Sequence, residues 1–458
     1  MSKRFIMILV AMFVVGIAVS AYAEVQNVKL GGDIQVQAVA RNSFQTDDTA
    51  EHERGIIGAA RVQVDADLTD NVSATMRLLS ERLWGDEDDN TTNVDMDLAY
   101  ITLRELAGYP ITLVVGRQEL RYGNALIIGD YDGNGIAATA TPLPTTLTDL
   151  SLRKSFDAIK MILDYDPLVI DIVHAQIEEN TTTRADDVKL SGVNANYRVN
   201  NDFTAEAYIW SRDREVGSTG LTDDWNQGER LNVTGVRGVF TGIKNLTLGL
   251  EGAYQFGDHV DNNTLYPNDS VRTAGEKYRH QAYGYQITSL YMMPDVKYTP
   301  MINMSYTELS GDKDLNNNRH YKGWDAMFED QAGGTIFNKI LGFSNCRLFN
   351  LGGSLRPMDD VTVKLDWYNL RMIQPFNQAS GGDGTVTRIL SGVASDANTT
   401  CRIGKRHLAD ELDLVITYDY TEDVQFVLNS GVFFPGEVFD KLNRKRASQV
   451  IGSMKVTF

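Results

Sequence analysis

Along most of the chain apolar and polar residues alternate one for one, in segments of about ten residues or more separated by turn-forming clusters. In 28–41, Val28, Leu30, Ile34, Val36 and Ala38 share one face, while Lys29, Asp33, Gln35 and Gln37 share the other. Ala60, Val62, Val64, Ala66 and Leu68 then alternate with Arg61, Gln63, Asp65 and Asp67. After a tight Thr69-Asp70-Asn71 turn, Ala74, Met76 and Leu78 oppose Thr75, Arg77 and Glu81. A period of two is the mark of a strand. Apolar on one face and charged on the other, over successive long strands, fits a wall with lipid outside and water inside. A soluble sandwich buries its apolar face and uses shorter strands.

The pattern continues over 94–105, 110–118, 155–163, 168–178, 187–199, 202–212, 230–241, 245–257, 279–292, 296–310, 346–356, 360–372, 408–420, 423–434 and 446–458. With the first three this makes about eighteen strands, an even number, as single-chain bacterial barrels have. The fold class expected is all-β, a transmembrane antiparallel up-and-down β-barrel. Connections alternate between short (164–167, 200–201, 294–295, 357–360, 421–423) and long (42–55, 119–154, 258–278, 311–345, 373–407). Short turns belong in the periplasm and long loops outside. Two strands break the pattern. Ile111, Leu113 and Val115 share parity with Arg117, which predicts a bulge near Gly116. The 168–178 strand is apolar on both faces, which predicts contact with a loop folded into the lumen.

The ends fit an exported barrel. Lys3 and Arg4 precede an apolar run from Phe5 to Val19, and Ala21-Tyr22-Ala23 supplies small residues before a cut. We read 1–23 as a cleaved signal peptide and 24–458 as one barrel domain. No later run is long and apolar enough for a spanning helix. Phe458, on the same face as Val456 and Met454, has the form of the tail read by the barrel assembly machinery. Trp84, Tyr283, Tyr285, Trp367, Tyr418, Tyr420 and Phe458 are expected at the membrane interfaces. The implied location is the outer membrane of a Gram-negative-type bacterium, with outer-membrane lipid as one partner.

The net charge of −18 and the lack of a basic patch argue against nucleic acid. Acidic residues concentrate in loop-like stretches such as Asp86–Asp89. Two cysteines, Cys346 and Cys401, lie in no metal or haem motif. Both fall near neighbouring surface loops, so a bridge and two free thiols stay open as alternatives. Asp130, Asp132 and Asn134 have the spacing of calcium donors, but no helices flank them and no Glu stands at the twelfth position. An ordinary Gly/Asp turn is the competing reading, and no other cofactor is implied.

Several stretches carry a family resemblance. Leu113–Tyr122 (LVVGRQELRY) is followed by Ile127-Ile128-Gly129 and Ser155-Phe156-Asp157. Leu250–Gly257 (LEGAYQFG), Ser310-Gly311-Asp312 with Trp324-Asp325 and Met327-Phe328, and Glu411–Tyr418 (ELDLVITY) with Phe433–Gly436 follow in order. Together they resemble the alginate export domain family of outer-membrane porins. The resemblance implies an eighteen-stranded barrel, and a function in passing hydrophilic solutes or an anionic polysaccharide such as alginate. It marks Gly116, Arg117, Gln118, Tyr122 and Gly129 as motif and constriction-loop residues.

Parity alone assigns the candidate pore-lining charges. The cations are Arg61, Arg77, Arg198, Arg212, Arg237 and Lys364; the anions are Asp65, Asp67, Glu81, Glu206, Glu251, Asp366, Glu411 and Asp413. Facing lipid at mid-membrane would cost Arg or Lys about 2–4 kcal/mol, so the inward assignment is favoured. Such charges screen solutes or stiffen the wall as salt bridges, and the sequence leaves both open. The loop from Gln118 to Leu150 is the constriction candidate, with Leu126, Ile127 and Ile128 packing inside the barrel. Six histidines form no constellation with a serine motif, so no enzyme is expected. The alternatives to a polysaccharide channel are a general or ion-selective porin and a barrel sheath around a partner protein.

Overall fold

The computed structural model describes residues 27–44, 52–85, 94–131, 143, 147–178, 187–214, 228–260, 277–312, 320–331, 334–375, 402, 404–439 and 444–458. The predicted signal peptide lies outside them. The strands are β1 (Asn27–Asn42), β2 (His52–Thr69), β3 (Val72–Leu83), β4 (Val94–Leu103), β5 (Ile111–Glu119), β6 (Ser155–Tyr165), β7 (Leu168–Glu178), β8 (Val188–Asn200) and β9 (Phe203–Arg214). There follow β10 (Glu229–Ile243), β11 (Leu246–Val260), β12 (Lys277–Met292), β13 (Met301–Leu309), the two-residue β14 (His320–Tyr321), β15 (Cys346–Met358), β16 (Val361–Met372), β17 (His407–Asp419), β18 (Val424–Pro435) and β19 (Ala447–Thr457).

All but β14 pair antiparallel with their neighbours, and β1 pairs with β19 to close a ring of eighteen. Closure satisfies every strand edge, as a sheet in lipid requires. The seam runs from Asp33 opposite Thr457 to Asn42 opposite Ser448. Reciprocal bonds between Gly32 and Phe458, 2.9 and 3.0 Å, finish it. β14 stands off the ring, parallel to β12 at Arg279 and His280.

The outer wall is apolar. Val236, Leu250 and Leu365 are 64, 59 and 50 % exposed, while their inward neighbours Arg237, Glu251 and Asp366 are covered to different degrees. The buried core lies inside the ring, at the long-loop end. There Phe156, Val173, Ala175, Leu190, Trp210 and Leu231 form one cluster with loop residues Leu126, Ile128, Trp324 and Phe337. This explains the two-sided apolarity of β7. Its outer face meets lipid, and its inner Val173 and Ala175 meet the loops.

Three sequence expectations shift. β2 begins at His52, inside the stretch read as a loop. β13 begins at Met301, because Tyr298 and Thr299 turn the chain at φ 69° and 41°. The bulge expected near Gly116 is absent: β5 keeps register with both β4 and β6. The irregularity is in β4, between the pairs Arg77–Leu98 and Leu78–Met96, with Asp97 the extra residue. Arg117 stays on the outer face. It is neutralised there by Asp157, with nitrogen–oxygen distances of 2.7 and 2.8 Å, so the backbone need not re-aim it.

Gly116 is special for another reason. Its φ is +124°, and a Cβ there would meet the Ala99 carbonyl at 2.1 Å. Gly116→Ala is expected to destabilise the barrel by about 1–3 kcal/mol in urea unfolding from detergent. Gly452→Ala, where a Cβ meets nothing within 4 Å, should be neutral. Equal midpoints for the two variants would contradict the close approach of β4 and β5.

Candidate functional site: a lumen spanned by two loops

A ring of eighteen strands is too wide for wall side chains to fill. Two long connections enter the space. One joins β5 to β6 and the other joins β13 to β15. They bind each other through the backbone: Phe328 N donates to Ile127 O at 3.0 Å, Gly129 N to Phe328 O at 2.7 Å, and Asp330 N to Ala125 O at 3.0 Å. Leu126 and Ile128 are fully buried at this junction, and Phe328 stacks edge-on against Phe156 of the wall at 5.9 Å. Gly129 is required for space, since a Cβ would fall 2.5 Å from that of Ala125 and 2.7 Å from that of Asp330.

Inward charges of the wall hold the loops in place. Glu411 of β17 accepts the backbone N–H groups of Ile336 and Phe337, each at 2.8 Å. These start the short helix α1 (Phe337–Ile340). Asp413 accepts Thr335 N at 3.0 Å and Thr335 Oγ1 at 2.9 Å. Free N–H groups at a helix start are natural partners for carboxylates. On the opposite wall, Arg212 grips Asp325 through both guanidinium nitrogens at 2.9 and 2.7 Å, and Glu229 at 2.9 Å. Gln255 closes the same contact, donating to Asp325 O at 2.6 Å and accepting Asp325 N at 2.9 Å. Burial pushes the Asp325 carboxyl up, but the Arg212 guanidinium outweighs it and holds the group well below the usual carboxylate range.

The first loop is anchored in the same way. Glu81 accepts Leu152 N at 2.6 Å and Ser151 Oγ at 2.9 Å. Arg41 holds Asp149 at 2.6 and 3.0 Å. At the loop tip, Tyr122 donates to Asp171 at 3.0 Å, and Asn124 bridges Arg237 at 3.0 Å and Gln286 at 3.1 Å. Lys339 Nζ donates to Thr148 Oγ1 at 3.1 Å and so joins the second loop to the first.

The remaining candidates are paired within the wall. Arg61 meets Asp33 at 2.8 Å, Arg77 meets Asp97 and Glu119, and Arg198 meets Asp166 at the periplasmic rim. Arg237 lies 3.3 Å from Glu206 and 3.8 Å from Glu251, and Lys364 lies 2.7 Å from Asp366. Asp65 accepts from Thr75 at 2.6 Å, and Asp67 from Asn27 at 3.4 Å. Of the motif residues, Gln118 is buried and donates to Ala158 O at 3.0 Å, while Arg117 faces outward.

Sequence reasoning missed Arg41, Asp149 and Lys339, and met Asp325 only as part of the family resemblance, with no role. Arg41 lies on the inward parity of β1 and was within reach. Asp149, Asp325 and Lys339 sit in loops with no period to read, and the motif around Asp325 does not say what it binds. Asp132 and Asn134 of the calcium reading lie outside the described residues. Asp130 is buried, with Lys154 at 3.7 Å. Cys346 is a buried free thiol, and Cys401 lies outside the described residues.

Glu411→Gln turns one of the two accepting oxygens into a donor, so α1 loses part of its anchor. A buried N–H left without its acceptor costs about 1–3 kcal/mol, and release of the second loop should raise single-channel conductance and expose 334–345 to protease. Unchanged conductance and cleavage would remove the anchor role. Asp325 is depressed in the folded state, so its contribution is complete above its unfolded pKa of about 3.9 and is lost as pH falls through the still lower folded value. The conductance difference between wild type and Asp325→Asn should therefore stay constant from about pH 7 to pH 4 and shrink only in stronger acid. A difference already gone by pH 5 would refute this.

A family model described as alginate export matches residues 25–453. Comparison with curated protein sequences finds no match. Among solved structures, the chain resembles OccAB1 of Acinetobacter baumannii at 11 % identity, over 96 % of this chain and 98 % of that one, with a TM-score of 0.55. It also resembles the outer membrane protein OprD of Pseudomonas aeruginosa at 9 % identity, over 96 % of each chain, with a TM-score of 0.54. OccD3 (OpdP) of the same organism matches at 8 % identity, over 95 and 93 %, with a TM-score of 0.52. At such identities the likeness speaks for the fold alone. The family match covers nearly the whole strand-bearing chain, and the protein belongs to the alginate export family of outer-membrane barrel channels.

Proposed function

We propose that this barrel is a passive channel for small hydrophilic solutes, with weak charge selectivity and a lumen set by the two docked loops. One observation carries the reading: all six candidate pore cations, Arg61, Arg77, Arg198, Arg212, Arg237 and Lys364, are engaged by carboxylates. A polyanion path needs cations free to meet the polymer, because selectivity follows the net charge presented to the pore. Paired charges present little. The tip contact of Asn124 with Arg237 and Gln286 also narrows the lumen from within.

Family membership favours a second reading, export of an anionic polysaccharide such as alginate. That route requires both loops to leave the lumen and the arginines to exchange carboxylate partners for the polymer. The two readings separate in a planar bilayer. A small-solute channel should give a reversal potential close to zero in a salt gradient and no block by uronate polymer. Strong anion preference with polymer block, weakened by Arg61→Ala or Arg77→Ala, would overturn it in favour of polymer export.

A further inference from the structure

The outer wall carries a charged cluster that the lumen does not use. It lies at the long-loop ends of β13, β15 and β16. Glu308 stands opposite Tyr285 on the outward face, because its neighbour Thr307 pairs with inward Gln286. Although on the outer wall, Glu308 is only 6 % exposed. Its carboxylate accepts Tyr306 Oη at 2.8 Å, Tyr283 Oη at 3.2 Å and Arg347 Nε at 2.7 Å. Three donors satisfy the carboxylate and fix the Arg347 side chain by its Nε. Its two terminal nitrogens make no hydrogen bond among the described residues.

Arg371 of β16 stands directly opposite Arg347 in register. It is exposed and has no ion pair or hydrogen bond among the described residues. Like charges directly opposite on neighbouring strands repel. The nearby carboxylates are already committed. Glu308 has its three donors, and Asp410 of β17 takes His407 at 3.0 Å and Asn369 at 2.8 Å. Two guanidinium groups side by side, one held by its inner nitrogen, suit a phosphate that accepts bidentate bonds from both.

Height on the wall identifies the source of that phosphate. Towards the membrane, Phe349, one same-face step from Arg347, and Trp367, two from Arg371, pack edge to face at 5.9 Å. A further step leads to Leu351 and Leu365, which are 45 and 50 % exposed. Aromatic belts mark the level of the lipid headgroups, with the apolar band below. The two arginines stand just above the belt. We propose that Arg347 and Arg371 together bind the phosphate of a phosphorylated lipid in the outer leaflet, with Glu308, Tyr283 and Tyr306 positioning Arg347.

The test is native mass spectrometry of the full-length barrel in detergent, with lipid A in phosphorylated and dephosphorylated forms as probes. The wild type should retain phosphorylated lipid A and not the dephosphorylated form. Arg347→Gln with Arg371→Gln should bind it roughly tenfold more weakly, as expected for loss of charged hydrogen bonds. Arg371→Gln alone should weaken it too. It should fold normally, as judged by heat-modifiable migration, because Arg371 has no partner among the described residues. Equal retention of the two lipid forms, or unchanged retention by the folded Arg371→Gln variant, would overturn the proposal. Displacement of the lipid by an equal concentration of inorganic phosphate would overturn the lipid as occupant and leave a free-anion site.

Discussion

Everything in this molecule follows from the need to pair every backbone group in a medium without water. A sheet meets that need only by closing, and here it closes through ten matched positions between Asp33–Asn42 and Ser448–Thr457. Closure at eighteen strands fixes a lumen that wall side chains cannot fill. A wide lumen admits chain, and chain admitted to it must bury its own polar groups. The two loops meet this demand jointly. Each supplies backbone partners to the other at Ile127–Gly129 and Phe328–Asp330, so neither needs a regular ladder of its own.

The charged interior follows from the same logic. A carboxylate inside a filled barrel is costly unless it is bonded. Glu411 meets that condition with the N–H groups at the start of α1, Asp413 with the amide and hydroxyl of Thr335, and Glu81 with Leu152 and Ser151. The parity that sends these residues inward is therefore not enough to make them pore groups. Of the two roles that alternation leaves open, the described contacts give these three the structural one. The periplasmic half differs: there, among the described residues, Arg61, Asp65 and Thr75 bond along the wall.

Strands were legible in the sequence because each carries its own period. The ends of β7, β8 and β19 fall within a residue of the alternation boundaries, and the long and short connections alternate as expected. The exceptions share one cause. Arg117 breaks parity because an ion pair with Asp157 is cheaper than bending the backbone. Asp97 is accommodated by a bulge that its own sequence does not announce, since it answers to Arg77 twenty residues earlier. The loop anchors were hidden for the same reason. Asp325 has meaning only once Arg212, more than a hundred residues away, is beside it. Long-range charge pairing leaves no local period.

The outer wall then separates structural charge from charge left available. Arg117 stands on the outer face and is bonded through Nε and both terminal nitrogens, to Asp157 and to the Met96 carbonyl. Arg347 stands on the same kind of surface with only its Nε engaged, and Arg371 has no partner among the described residues. A wall selected only for stability would pair Arg371 as it pairs Arg117 and would engage Arg347 through more than its Nε, since carboxylates at Glu308 and Asp410 lie nearby. Instead Glu308 takes two tyrosine hydroxyls beside the single Nε of Arg347, and Asp410 takes His407 and Asn369. Glu308 engages only the inner nitrogen of Arg347 and fills its other sites with neutral hydroxyls, Asp410 takes a weak base and an amide, and the outer nitrogens of Arg347 and all of Arg371 stay open among the described residues. That distribution is unfavourable in isolation and becomes favourable when an anion from outside the chain sits at this level of the membrane.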